Sequence, residues 1–322
     1  MRARRRIMGW TAVSIALAAV LVGMLGGCVR VTPKVVRIGF VAPFEGRYRE
    51  IGSDVIPAAR LAIREWAAAS ANDRAGLAFE LVAYDDMGDP ALAAAQAEKL
   101  AADPDVAAVI GHWRDETTLA AAPIYAEAGL PLVTFTTTDV IPGGEVTNLA
   151  PSAEALSAAA EAWAQVEGVN AAVRIEPLAE VDKAVAAARQ AGEGDQIAIG
   201  GPVWGLGQFG ALGGEWVDGL YYVSGAAAPG MADDAFLPPG GLDGFAAGYE
   251  EGSFGVPPGP LAEAAYYATW LAMEQIAGAD HPIIAGIDLP EPALDAEGRR
   301  TDAPIILYRW EDGGRMPIAR LD

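Results

Sequence analysis

From residue 35 onward, short runs rich in β-branched and aromatic residues alternate with longer segments whose apolar side chains recur at helical spacing. No other property narrows the fold as far, because strands separated by helices pair in parallel and bury both faces of their sheet. The run 35–41, closed by Ala42-Pro43, is apolar almost throughout, as expected of a strand covered on both sides. Beyond a loop at 46–52, Val55, Ala59, Ala62, Ile63 and Trp66 fall on one helical face. Runs at 79–84, 106–110 and 130–135 predict three further strands with helices between them. In Asp85-Asp86-Met87-Gly88-Asp89-Pro90 the acids read as structural, with Asp89 as an N-cap before Pro90 at the first helical position. Asp115 opens the next helix, which places Asp115 and Glu116 at its positive end and Gly129 at its close.

After residue 135 the composition changes. Thr136-Thr137-Thr138-Asp139 followed by Pro142-Gly143-Gly144 marks the exit from a first lobe. A second lobe is expected to contain a helix at 154–167, a strand at 171–175, a helix at 179–191 and strands at 196–199 and 219–223. The Gly/Pro-rich stretch 226–241 reads as a crossing between lobes. Helices at 242–251 and 261–277 follow, with Tyr266, Tyr267 and Trp270 in the core. A last pair of extended segments, 305–310 and 316–319, turns at Asp312-Gly313-Gly314. At 322 residues the chain exceeds the size at which one core stops growing. Two α/β lobes are therefore expected, 35–145 with 227–285 forming the first and 146–226 with 286–322 the second.

Charge and motifs exclude several function classes. The net charge is −21, and setting aside Arg2, Arg4, Arg5 and Arg6 of the N-terminal segment leaves a body of about −25. Such a body repels phosphate backbones, so nucleic acid is not an expected partner. Cys28 is the sole cysteine, so neither an internal disulfide nor a cysteine metal site is available. The two histidines, His112 and His281, are far apart, and His112 at a strand end reads as structural. The segment from Gly205 to Gly210 has dinucleotide-motif spacing without a clear bracketing strand and helix, and reads as a flexible glycine loop. The acid pairs Asp233-Asp234 and Glu250-Glu251 read as solvated faces. No cofactor, metal or catalytic constellation is expected, and the chain does not read as an enzyme.

The N-terminus carries an address. A basic start is followed by an apolar stretch over 7–25, the layout of an export signal, although its length would also serve an uncleaved membrane anchor. Leu25-Gly26-Gly27-Cys28 resembles a bacterial lipobox, in which the chain is cut before an acylated thiol. This predicts a signal peptide at 1–27, a lipid on Cys28 and a tether at 28–34, with the body on the extracytoplasmic face of a membrane.

Five segments, in order, resemble the branched-chain amino acid binding proteins. They are Ile38-Gly39-Phe40-Val41-Ala42-Pro43 with Gly46, Tyr84 to Pro90, Val109-Ile110-Gly111-His112, Pro123 to Pro131, and Asp295-Ala296-Glu297-Gly298-Arg299. The resemblance implies the type I periplasmic-binding fold: two lobes of parallel sheet flanked by helices, joined by three crossings, with a solute in the cleft between them. It also implies delivery of that solute to an ABC permease. Compared with the family, the second lobe is about two βα units short, which predicts an exposed edge strand.

Two family positions are altered. Asp115 stands where the family has a carboxylate-binding Ser, and Val203-Trp204 follow Gly201-Pro202 where the family places an acid for the ligand ammonium. The expected first-lobe half-site is Trp113 as an apolar wall, Asp115 as an acceptor, and Thr136 and Thr138, with Thr138 donating. Asp115 is equally placed to cap its helix. The expected ligand is a small polar solute such as an amino acid or a derivative; the alternative is a lipoprotein of this fold acting as a sensor or interaction module without transport.

Overall fold

The computed structural model describes residues 33–69, 77–178, 180–191, 197–225, 241–278 and 292–321. The export segment, Cys28, the acid pair at 233–234, His281 and the crossing expected at 226–241, apart from its last residue, lie outside the described residues.

Strands β1 (Lys34–Ala42), β2 (Leu77–Asp85), β3 (Val106–Ile110), β4 (Leu132–Thr134) and β5 (Val146–Asn148) form a five-stranded sheet in the order β2-β1-β3-β4-β5. All its pairings are parallel. Helices α1 (Arg49–Ala69), α2 (Pro90–Ala101) and α3 (Asp115–Ala128) follow the first three strands. The apolar run of β1 is explained by what covers it. Val36, Ile38, Phe40 and Ala42 belong to the core under α1, while Val41 faces a second core with Leu100 of α2 and Tyr125 of α3. Gly39 lies on that second face, where a Cβ would stand 2.8 Å from Leu100 Cδ1. Asp89 caps α2 by accepting from the N–H groups of Ala91 and Leu92, with Pro90 at its first position.

Helices α4 (Ala153–Glu167), α5 (Val181–Ala191) and α6 (Gly207–Gly213) accompany a four-stranded second sheet, β6 (Ala198–Gly200), β7 (Tyr221–Ser224), β8 (Ile306–Glu311) and β9 (Gly314–Arg320). Only β6 and β7 pair in parallel; β8 and β9 run antiparallel and are joined by a turn with Asp312 and Gly313 at positive φ. Helices α7 (Gly241–Gly252) and α8 (Ala262–Ala277) return to the first sheet. Trp66 of α1 packs against both Phe79 of β2 and Trp270 of α8, at ring separations of 5.1 and 5.4 Å. Tyr266, Tyr267 and Trp270 are buried, as their spacing predicts.

Four features differ from the sequence reading. Val146–Asn148 is a fifth strand of the first sheet, so the chain leaves that sheet after Asn148 rather than near 145. The expected strand at 171–175 makes only a single bridge, Ile175 to Gly200. Its side chains are mostly half-buried at best, and Pro177 follows closely and restricts pairing. The segment 205–210 is helical rather than a flexible loop: a 3-10 turn at Pro202–Gly205 leads into α6. Buried Leu206 and Phe209 anchor it, and Gly210 leaves room for the Trp310 ring, which a Cβ would meet at 2.6 Å. The second sheet is mixed rather than parallel. Its strand β9 lies at an edge, with Met316 and Ile318 49% and 44% exposed and Pro317 interrupting its donors.

Candidate functional site

A cleft lies between the sheets, at the carboxyl ends of β4, β5 and β7, where loops and helix starts converge in open α/β sheets. With its solvent-filled mouth it spans about 860 Å³, of which about 90 Å³ can hold the centre of a water-sized sphere. Its walls are largely apolar, with Phe135, Leu149, Leu156, Leu178, Leu261 and Ala264 prominent, and its polar groups come from Thr137, Ser224, Glu263, Tyr267 and Arg300. A mostly apolar cleft with a few convergent polar groups is the ordinary form of a small-molecule site.

The first-lobe side of this cleft is organised by Asn148 and Arg299. Asn148 donates to the Thr136 carbonyl at 3.0 Å and accepts from the N–H groups of Thr136 and Ala150 at 3.2 Å each. Arg299 donates to the carbonyls of Thr136 at 3.2 Å and Ala150 at 2.8 Å, and also to that of Thr138. A guanidinium has only donors and a carbonyl only lone pairs, so one side chain gathers both chain segments that leave β4 and β5. Asp295 presents Arg299 by accepting from the N–H groups of Glu297 and Arg299. Gly298, at φ +80°, accepts through its carbonyl from the Asn148 N–H at 2.8 Å, and a Cβ there would lie 2.0 Å from the Val146 oxygen. The segment 295–299 is therefore a brace behind the cleft.

None of the four expected half-site residues, Trp113, Asp115, Thr136 and Thr138, lines this cleft. Trp113 is fully buried and stacks on Phe135 with ring centroids 4.6 Å apart, so it supports the wall from one layer beneath. Thr136 is also buried, its backbone held by Asn148. Thr137, which lies between the two threonines named from sequence, is the one lining the cleft. Asp115 is the first residue of α3, with Arg114 at the N-cap, so it does not cap that helix. Its carboxylate instead accepts from the Thr137 N–H at 3.1 Å and hydroxyl at 3.0 Å, fixing the threonine turn. Burial pushes the Asp115 pKa up, while the Thr137 and Thr138 groups oppose that shift. Half-buried Thr138 contributes its carbonyl to Arg299.

His112 has a structural setting. It is fully buried, with Nδ1 2.7 Å from Asp86 Oδ2 and Nε2 3.1 Å from the Tyr125 hydroxyl. Asp86 also accepts from the Gly88 N–H at 2.9 Å, and Asp85 accepts from the N–H groups of Phe44 and Met87.

Two further features were not foreseen from sequence. Glu50, in the first turn of α1, reaches across to the second lobe: its carboxylate accepts from the N–H of Gly207 and, at 3.0 Å, from that of Gln208. Nearby, Arg47 pairs with Asp182 of α5 at 2.6 Å and its carbonyl accepts from the Gln208 side chain at 2.6 Å. These contacts link the lobes beside a second hollow, which Glu50 and Gln208 line with Phe44, Arg49 and Ser53. The second feature is Glu263, whose carboxyl pKa is pushed up to about 7, first by burial and then by Asp54. From sequence it is only an acid in a helix's first turn, a common way to complement the helix dipole; its position in the cleft emerges with the tertiary fold.

Comparison with known proteins agrees with this geometry. Residues 35–176 match the family described as periplasmic binding protein. A leucine-binding protein from Thermotoga maritima superposes with TM-score 0.68 at 19% identity, covering 89% of this chain and 99% of that one. A branched-chain amino acid transporter substrate-binding protein from Streptococcus pneumoniae, in complex with isoleucine, gives 0.60 at 17%, covering 88% and 99%. A solute-binding protein of an ABC transporter from R. palustris, in complex with 4-hydroxybenzoate, gives 0.65 at 16%, covering 89% and 97%. No curated protein matches by sequence. The chain has the two-lobed fold of the type I periplasmic binding proteins, and its residues 35–176 carry the sequence pattern of the periplasmic binding protein family.

Proposed function

We propose that this protein is the extracytoplasmic solute-binding component of an ABC importer, held at a membrane by a lipid on Cys28. The observation that carries the reading is the cleft between the sheets, apolar-walled, with polar groups from both lobes converging on it. The neighbouring structures bind or are named for leucine, isoleucine and 4-hydroxybenzoate, all small solutes with an apolar body and a polar end. Thr137, held by Asp115, offers its hydroxyl lone pair at the first-lobe wall, while Thr136, Thr138 and Trp113 set the shape of that wall. Binding is assigned rather than catalysis, since His112 is committed to Asp86 and Tyr125 inside the first lobe.

Thermal denaturation of the purified protein against a library of amino acids, amines, aromatic acids and sugars tests this reading. A solute at about 100 times its Kd adds roughly 2.7 kcal/mol, a shift of several degrees. A library that leaves the midpoint unmoved overturns it. For the anchor, the peptide beginning at Cys28 should carry a diacylglyceryl mass that Cys28→Ser abolishes.

A further inference from the structure

Resting on the solute-binding reading, we infer that Glu263 is the counter-charge for the ligand, and that the cleft takes an amine-bearing solute with an apolar body. Glu263 lies in the first turn of α8 and lines the cleft beside Leu261 and Ala264. Among the described residues its carboxyl makes no hydrogen bond and no ion pair. An acid on a helix's first turn is ordinarily solvated, but this one is mostly withdrawn from water by the cleft walls.

Its position is built. Buried Asp54 of α1 accepts from the N–H groups of Gly259 and Leu261 at 2.7 Å each and from the Tyr249 hydroxyl at 3.2 Å. These bonds fix the segment entering α8, and with it the place of Glu263. The same arrangement sets the sign of the local field. The groups facing Glu263 are Asp54 on α1, Tyr308 on β8 and Tyr267 on its own helix, and the one whose charge acts on it is a second carboxyl. Arg300 is turned to Asp302, with Nε 2.8 Å from its carboxylate and NH2 3.2 Å from its carbonyl. Arg315 acts on Asp54 from the second sheet, and its NH1 donates to the Gly205 carbonyl. An anionic group would be repelled at this end of the cleft, whereas an ammonium would gain from both carboxyls and supply the donors Glu263 lacks. The apolar walls accept the rest of the molecule. Charge recognition that the sequence lacks after Gly201-Pro202 is thereby supplied from the start of α8.

Calorimetric titration of the full chain with isoamylamine, leucine and 4-methylvalerate tests the assignment, the last being leucine without its ammonium. The amine-bearing probes should bind at least tenfold more tightly than 4-methylvalerate. Glu263→Gln should remove at least tenfold of that affinity and leave weak binding of 4-methylvalerate unchanged or improved. Amine affinity should also rise from pH 6 to pH 8 as Glu263 ionises, and Glu263→Gln should flatten that rise. Equal affinity for the carboxylate, or full amine affinity in a folded Glu263→Gln protein, overturns the inference while the solute-binding reading stands. Absence of binding by every amine and amino acid in a panel that contains other binders overturns it equally; a panel with no binder of any class overturns the parent reading.

Discussion

Replacing Glu50 by Ala should loosen the closed arrangement of the lobes. Its carboxylate accepts two backbone N–H groups at the start of α6 in the second lobe, and those donors gain from an anion at a helix start. A charge-assisted hydrogen bond contributes about 1.5–3 kcal/mol when well buried. Glu50 is only half-buried, so about 1 kcal/mol for each bond is appropriate, or about 2 kcal/mol together. Arg47 and Asp182, with side chains 58% and 64% exposed, add little by comparison. Losing about 2 kcal/mol shifts the open-to-closed ratio by roughly 30-fold, since 1.4 kcal/mol is a factor of ten. Small-angle X-ray scattering of the ligand-free protein should show a larger radius of gyration for Glu50→Ala, and solute affinity should fall by up to about the same factor. Arg47→Ala should change either quantity by no more than about threefold. An unchanged radius together with affinity within twofold of the parent would refute the latch.

Asp54→Ala leaves the Gly259 and Leu261 N–H groups without their acceptor, while the Tyr249 hydroxyl keeps the residue's backbone carbonyl, and should lower stability by about 2–3 kcal/mol in chemical denaturation. His112→Ala strips the buried Asp86 carboxyl of its ring partner and should cost about 3 kcal/mol, whereas Tyr125→Phe should cost about 1 kcal/mol, with solute affinity unaltered in both. Burial raises Glu263 from 4.5 to about 7, so the native state holds a proton that the unfolded chain releases. The stabilisation from that proton is complete below about pH 4.5 and is lost as pH rises through about 7. Glu263→Gln should therefore be near neutral at pH 4 and more stable than the parent by roughly 1–2 kcal/mol at pH 8, seen as a Tm difference that grows with pH.

The first lobe was legible because its local signals agree with its tertiary structure. β1 is apolar on both faces because helices cover both, Asp89-Pro90 is a self-contained cap, and Asp115 to Gly129 has recognisable ends. The short β5 escaped notice because three residues carry too little periodicity to distinguish a strand from the Thr/Gly-rich exit. The segment 205–210 was misread because its glycines serve close packing, against Tyr222, Glu50 and Trp310, rather than flexibility. In the cleft, residue types were legible while their directions were not. Trp113 lies one layer behind Phe135, Asp115 is occupied by Thr137, and Thr137 rather than its neighbours reaches the wall. Glu50 and Glu263 acquire their roles from partners or surroundings brought close only by folding, such as Gln208, 158 positions away from Glu50.

The central claim is that the cleft between the sheets holds a small solute, and a titration with the cleft obstructed tests it most directly. The solute giving the largest thermal shift should bind the purified protein with one-to-one stoichiometry and a negative heat-capacity change from apolar burial. Ala264→Trp places an indole in the cleft wall and should abolish that binding while the variant still unfolds cooperatively. Binding of undiminished affinity to the folded Ala264→Trp protein would contradict the account.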